Sequence, residues 1–193
     1  MERKRGVFLD RDGTIIEDIP YLGDPKDVKL IPGSADAIRM LNERGIAVVV
    51  ITNQSGIARK LFSRNDLEEV HRRMVQLIKE AGGELDGVFY CPHHPEFDVE
   101  CECRKPKPGL VLMAADRLKL DLPRSYTIGD NPTDVLCGMN AGTKTVLIRK
   151  VHDEPDPARV GEISAADLRP DFVADNLLEA VKWLVKRDEN DRS

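Results

Sequence analysis

The chain has 193 residues, of which 41% are hydrophobic and 33% charged, with a formal net charge of -5. That length suits one well-buried α/β domain, and the acidic balance speaks against a general nucleic-acid binder, which carries a basic surface. No stretch approaches the roughly 20 apolar residues that span a bilayer, and without a signal-peptide pattern the expected location is the cytoplasm. The first element is Gly6–Thr14, GVFLDRDGT, in which an apolar strand breaks into two aspartates. Strand side chains repeat every second residue, so Asp10 and Asp12 point to one side if the extended geometry persists. Gly13 then lets the backbone turn away. Two carboxylates this close repel unless a cation or a shared proton lies between them, which makes the pair a candidate metal site.

Residues 17–30 lack periodicity and read as a long loop near that site. Pro32-Gly33-Ser34 opens a helix that Gly45 stops, and Ile46–Ile51 is a β-branched strand with no alternation, as expected when both faces are covered. It ends in Thr52-Asn53-Gln54-Ser55-Gly56. Ser63 starts a second helix in a capping-box variant with Asp66, and Leu67, Val70, Met74, Leu77, Ile78 and Ala81 give its apolar stripe. Val88-Phe89-Tyr90 begins a third strand, followed by a cysteine-rich loop and a helix from about Gly109 to Leu120. Tyr126-Thr127-Ile128 leads into Gly129-Asp130-Asn131-Pro132-Thr133-Asp134, with Pro132 in the first turn of a helix that ends near Gly142. A strand at Thr145–Ile148, a surface excursion over residues 149–170, a strand at Phe172-Val173 and a helix at Leu177–Val185 complete one domain over residues 1–186. Residues 187–193 are expected to be a frayed tail.

Strands alternating with helices imply a mostly parallel sheet with helices on both faces, and ligands bind such sheets at the carboxyl ends of the strands. Asp10, Asp12, Thr52 and Asp130 all fall at such ends. Carboxylates with water suit Mg²⁺ acting on a phosphate. Asp10, coming straight off the strand, is the candidate nucleophile. Asp12 is the candidate general acid and base, Thr52 and Lys105 supply donors to the phosphoryl oxygens, and Asp130 completes the metal shell.

Three of the four cysteines, Cys91, Cys101 and Cys103, share one short segment with His93 and His94. Three thiolates and one imidazole fill a tetrahedral zinc shell and leave no position for water, so the ion would be structural. On spacing alone either histidine serves. Cys137 stands apart inside a helix and reads as a small buried apolar residue.

FLDRDGT, ITN, RKPKPG and GDNPTD, in this order, resemble the four motifs of the haloacid dehalogenase superfamily of phosphohydrolases. The resemblance implies a Rossmann-like sheet, an aspartyl-phosphate intermediate on Asp10, and Mg²⁺ bound by Asp10, Asp130 and the backbone carbonyl of Asp12. No large cap insertion separates the first two motifs. CPHHPE…CECRKPKPG and ITNQSGIAR resemble the branch with a zinc loop over residues 91–103, implying Cys91, His93, Cys101 and Cys103 as ligands. Its substrate-contacting loops map to Asp18–Tyr21, Thr52–Ser55, Arg104-Lys105 and Asn131, which makes Asp18, Tyr21, Asn53, Gln54, Ser55, Arg104 and Asn131 candidate substrate contacts. The implied reaction is removal of the 7-phosphate from D-glycero-D-manno-heptose 1,7-bisphosphate, with histidinol phosphate as the alternative substrate. A bisphosphate needs a second cationic subsite, for which Arg104 and Arg59 are suitable forks. Lys60 stands where a glycine is common, and Asn131 where some members have lysine. A small-molecule sugar phosphate is therefore the expected partner, with neither nucleic acid nor membrane, and a monomer is expected. The reading of another class is an inactive, zinc-stabilised binding module.

Overall fold

The computed structural model describes residues 4–149 and 168–190. Six parallel strands form one sheet in the order β3-β2-β1-β4-β5-β6: β1 (Gly6–Leu9), β2 (Ala47–Asn53), β3 (Gly87–Cys91), β4 (Tyr126–Gly129), β5 (Lys144–Ile148) and β6 (Phe172–Ala174). The helices of the described residues are α1 (Ser34–Asn42), α2 (Arg64–Glu80), α3 (Gly109–Leu118), α4 (Pro132–Ala141) and α5 (Leu177–Asn190). Among the described residues, short 3₁₀ turns at Pro25–Asp27 and Leu122–Arg124 interrupt the loops. No cap domain lies between β1 and β2; the segment before α1 folds back along Ile16 and Leu30 through an antiparallel bridge.

The uninterrupted apolar strands divide cleanly between the two faces. Val7, Leu9, Val48 and Val50 meet α1, α2 and α5 through residues such as Ile38, Met74 and Val181. Phe8, Val49 and Ile51 point the other way, onto Leu110, Val111 and Cys137 of α3 and α4. The period-2 pattern is present but hidden, because both faces bury their residues. Cys137 is fully buried in that second layer, as its lone position in a helix predicts.

Two boundaries differ from the sequence reading. Ala81 caps the end of α2 and is exposed rather than part of its buried stripe, whose fifth member is instead His71. Residues 187–190, expected to be part of a frayed tail, continue α5. Arg5 and Asp188 form an ion pair, and Arg187 Nη1 lies 3.9 Å from Asp171 Oδ1, so tertiary contacts extend the helix beyond its apolar pattern. Most of the expected excursion, residues 150–167, and residues 191–193 of the expected tail lie outside the described residues. Among the described residues no helix is long and apolar enough to cross a membrane.

Candidate active site

The strand order reverses between β1 and β4, and a crevice opens there at the carboxyl ends of the strands. The cleft has a volume of about 470 Å³, and every residue predicted to act in catalysis, magnesium binding or substrate contact lines it. Asp10 sits immediately after β1, its amide donating to Ile128 O at 2.9 Å. At Gly13 the backbone has φ +76°, and a Cβ there would lie 2.1 Å from Asp130 Oδ2. Only glycine lets the β1 turn approach the β4 carboxylate this closely.

The carboxylates of Asp10, Asp130 and Asp134 offer oxygens that all lie within 4.8 Å of one another. Lys105, 4% exposed, reaches into this group. Its Nζ is 2.7 Å from Asp10 Oδ1, donates to Ile51 O at 3.1 Å, and pairs with Asp134. Burial pulls the ammonium's pKa down, but the Asp10 and Asp134 carboxylates outweigh it and raise it well above the ordinary lysine value. Burial raises the Asp134 carboxyl, and the nearby Asp10 charge raises it further. Three crowded carboxylates facing one ammonium leave excess negative charge in oxygen donors alone, which suits a hard divalent cation.

Asp12 stands outside that group and has its own partners. Arg11 Nε donates to Asp12 Oδ1 and Oδ2 at 3.0 and 3.1 Å, and Gln54 Nε2 donates to Oδ2 at 2.9 Å. Burial, and the neighbouring Asp10 charge, raise the Asp12 carboxyl against the pull of Arg11, favouring the protonated form that a general acid needs. Gln54 also donates to Thr52 Oγ1 at 2.8 Å, so it links the acid to the β2 end. The Asn53 side chain closes both backbone hydrogen bonds of Lys105, at 3.1 and 3.0 Å, and so fixes the lysine. Asp134 accepts from the Asn131 amide at 3.0 Å and completes the capping box of α4. It braces both Lys105 and the loop.

Farther out, the Arg59 guanidinium lies 4.2 Å from the Phe97 ring centre and 5.9 Å from that of Tyr21, with Nη2 3.4 Å from His94 Nε2. Lys60, at the position where a glycine is common, has φ +58°. A glycine would adopt that left-handed backbone without strain.

Cys91, Cys101 and Cys103 converge, with Sγ–Sγ separations of 2.8, 3.4 and 3.5 Å and no disulfide. Burial raises the Cys91 thiol, and hydrogen bonding to Cys103 adds to it. Neither histidine joins the group within 4.8 Å. His93 Nδ1 instead contacts Asp98 Oδ2 at 2.7 Å, while His94 lines the cleft.

Sequence reasoning missed Arg11, His71 and Asp98. A buried arginine between two aspartates gives no periodic signal. His71 did give one: it interrupts the apolar stripe of α2 between Val70 and Met74. Arg11 Nη1 meets His71 Nε2 at 3.1 Å, and burial, then the Arg11 charge, hold the imidazole near a pKa of about 3. The unfolded chain binds this proton below the ordinary histidine value, whereas the folded protein does not. Stability is therefore full above that value and falls as pH drops toward 3. The single-site loss is about 2 kcal/mol by pH 5. Urea melts at pH 7 and pH 5 should show wild type losing about that much more than His71→Gln; parallel losses would contradict it.

A DxD turn, a buried lysine and a further acidic pair gathered at the switch point of a doubly wound sheet resemble the site of the haloacid dehalogenase-like hydrolases. The family described as haloacid dehalogenase-like hydrolase matches residues 7–70, and the HAD-hydrolase-like family matches residues 102–180. The chain belongs to the haloacid dehalogenase-like hydrolases. Among curated relatives, the D-glycero-β-D-manno-heptose-1,7-bisphosphate 7-phosphatase of Yersinia pestis is 43% identical over 150 residues, covering 74% of this chain and 79% of the relative. The enzyme of the same name from Escherichia coli K12 is 44% identical over 150 residues, covering 74% and 78%. The crystal structure of D,D-heptose 1,7-bisphosphate phosphatase from B. bronchiseptica, complexed with magnesium and phosphate, superposes with a TM-score of 0.81. Its identity is 30%, over 95% of this chain and 99% of that one.

Proposed function

We propose that the chain is a Mg²⁺-dependent phosphatase that removes the 7-phosphate of D-glycero-β-D-manno-heptose 1,7-bisphosphate. The observation that carries this reading is the pairing of Asp10 with Lys105 at 2.7 Å on the cleft floor, beside a separately held Asp12. An Asp10 oxygen attacks phosphorus as the bond from phosphorus to the sugar oxygen breaks, and Asp12 gives that oxygen its proton. Asp12 then takes a proton from water, whose oxygen attacks phosphorus, and the bond to Asp10 breaks to release phosphate. Lys105 and the Thr52 hydroxyl face the phosphoryl oxygens, where charge must be balanced during transfer. Mg²⁺, held by Asp10, Asp130 and the Asp12 carbonyl, would supply further positive charge to those oxygens.

Arg104 and Arg59 are the cations for the second phosphate, with Asp18, Tyr21, Ser55 and Asn131 around the sugar; all line the cleft. The converging thiols supply soft donors that suit zinc. His93 would be the fourth ligand once its ring turns toward the thiols: the Asp98 carboxylate 2.7 Å from Nδ1 is the kind of partner that commonly orients a ligating histidine.

Phosphate release with Mg²⁺ tests the substrate. The β-anomer of the heptose bisphosphate should give a kcat/KM at least about tenfold above the α-anomer, and about 100-fold above histidinol phosphate, which has no group for the second cationic site. Preference for histidinol phosphate would select the alternative, and turnover of none would favour the binding module.

A further inference from the structure

The chemistry above has no step for Arg11, yet Arg11 is the largest fully buried side chain among the described residues, at 1% exposure. A buried guanidinium is costly unless its charge and its donors are satisfied, and all three nitrogens of Arg11 are engaged. Nε and Nη2 form a fork on Asp12, with Nη2 2.9 Å from Oδ1, and Nη1 meets His71 Nε2 at 3.1 Å. His71 itself is fixed on the buried face of α2, its ring 5.6 Å from that of Tyr90.

Asp12 needs such support. Its backbone lies past the end of β1, held by an isolated bridge to Ile16 and followed by a glycine at φ +76°, so the orientation of its carboxylate is left to side-chain partners. Apart from Gln54 on Oδ2, the hydrogen bonds to its carboxylate come from the Arg11 fork. A planar guanidinium sets both the distance and the plane of a carboxylate, which a lysine ammonium does not. We propose that Arg11, braced from behind by His71, is a positioning residue. It holds Asp12 in the orientation from which the carboxyl delivers its proton to the departing sugar oxygen. The inference rests on the phosphatase reading above and adds a line of support running from α2 through His71 and Arg11 to the acid.

The leaving group exposes this role. A sugar oxygen departs only with a proton, whereas 4-nitrophenolate departs without one, so a misaligned acid penalises the sugar ester selectively. A role confined to folding or to site charge would lower both reactions together. kcat/KM reports the first chemical step and is measured on the full chain with Mg²⁺, using the heptose bisphosphate and 4-nitrophenyl phosphate. Arg11→Lys, which keeps the charge and loses the fork, should lower the ratio of sugar to aryl ester about 100-fold. His71→Gln should lower it in the same direction by a smaller factor, and it carries the test alone if Arg11→Lys does not fold. An unchanged ratio in the folded variants overturns the proposal, however far total activity falls. Wild-type protein that hydrolyses neither ester overturns the phosphatase reading itself, and the positioning role with it.

Discussion

Asp10→Asn should lower kcat/KM for the heptose bisphosphate by at least about 10⁴-fold, the scale on which removal of a covalent nucleophile is felt. The carboxamide matches the carboxylate in shape and leaves an oxygen in place of the one that accepts from Lys105 at 2.7 Å. Asp134 still pairs with the lysine. Packing is thus preserved, and the loss falls on chemistry: an amide oxygen is a poor nucleophile, and the site loses one of the three clustered carboxylates. Phosphate release and a thermal melt, run side by side, check this. A variant that melts like wild type but keeps more than about 1% of its activity would contradict the role of Asp10.

Cys101→Ala should cost both bound zinc and stability. Elemental analysis of wild-type protein should find about one zinc per chain, and none should remain in the variant. An ion bound only by the folded state, at a thousandfold excess over its Kd, contributes about 4 kcal/mol, so the Tm should fall by about 8–16 °C. The effect reaches the cleft because Arg104 and Lys105 directly follow Cys103, and Arg104 Nη1 donates to His93 O at 3.2 Å. Loosening this loop therefore raises KM for a bisphosphate as well. Metal-free wild-type protein of unchanged stability would contradict the zinc assignment.

How much of this was legible in the sequence depended on whether a residue's role is set by its own strand or by a distant one. Asp10, Thr52 and Asp130 announce themselves at strand ends, because a short strand-forming run that stops at a polar residue fixes both the element and its open edge. The pairing of Lys105 with Asp10 bridges 95 residues of chain, and only the order of motifs pointed to it. Asn53 and Gln54, expected as substrate contacts, both line the cleft. Their side-chain amides are spent on Lys105 and Asp12, which no local pattern specifies. Arg11 was opaque for a similar reason. Its neighbours are polar, so nothing nearby suggests burial, and its partner lies on a helix 60 residues away. His71 was the one visible trace of that network, a polar residue on an apolar helix face. The end of α5 was misjudged because the apolar stripe stops before Asp188, whose ion pair with Arg5 continues the helix.

Turnover by this mechanism passes through a covalent bond between Asp10 and phosphorus. Its most direct test is to quench the Mg²⁺-loaded enzyme in acid during turnover, reduce with borohydride, and map the peptides by mass spectrometry. An acyl phosphate is reduced to an alcohol, so the account predicts homoserine at position 10, dependent on both substrate and Mg²⁺. Homoserine at another carboxylate, or an unmodified position 10 in enzyme caught releasing phosphate at full rate with its steady-state intermediate accumulated, would contradict it.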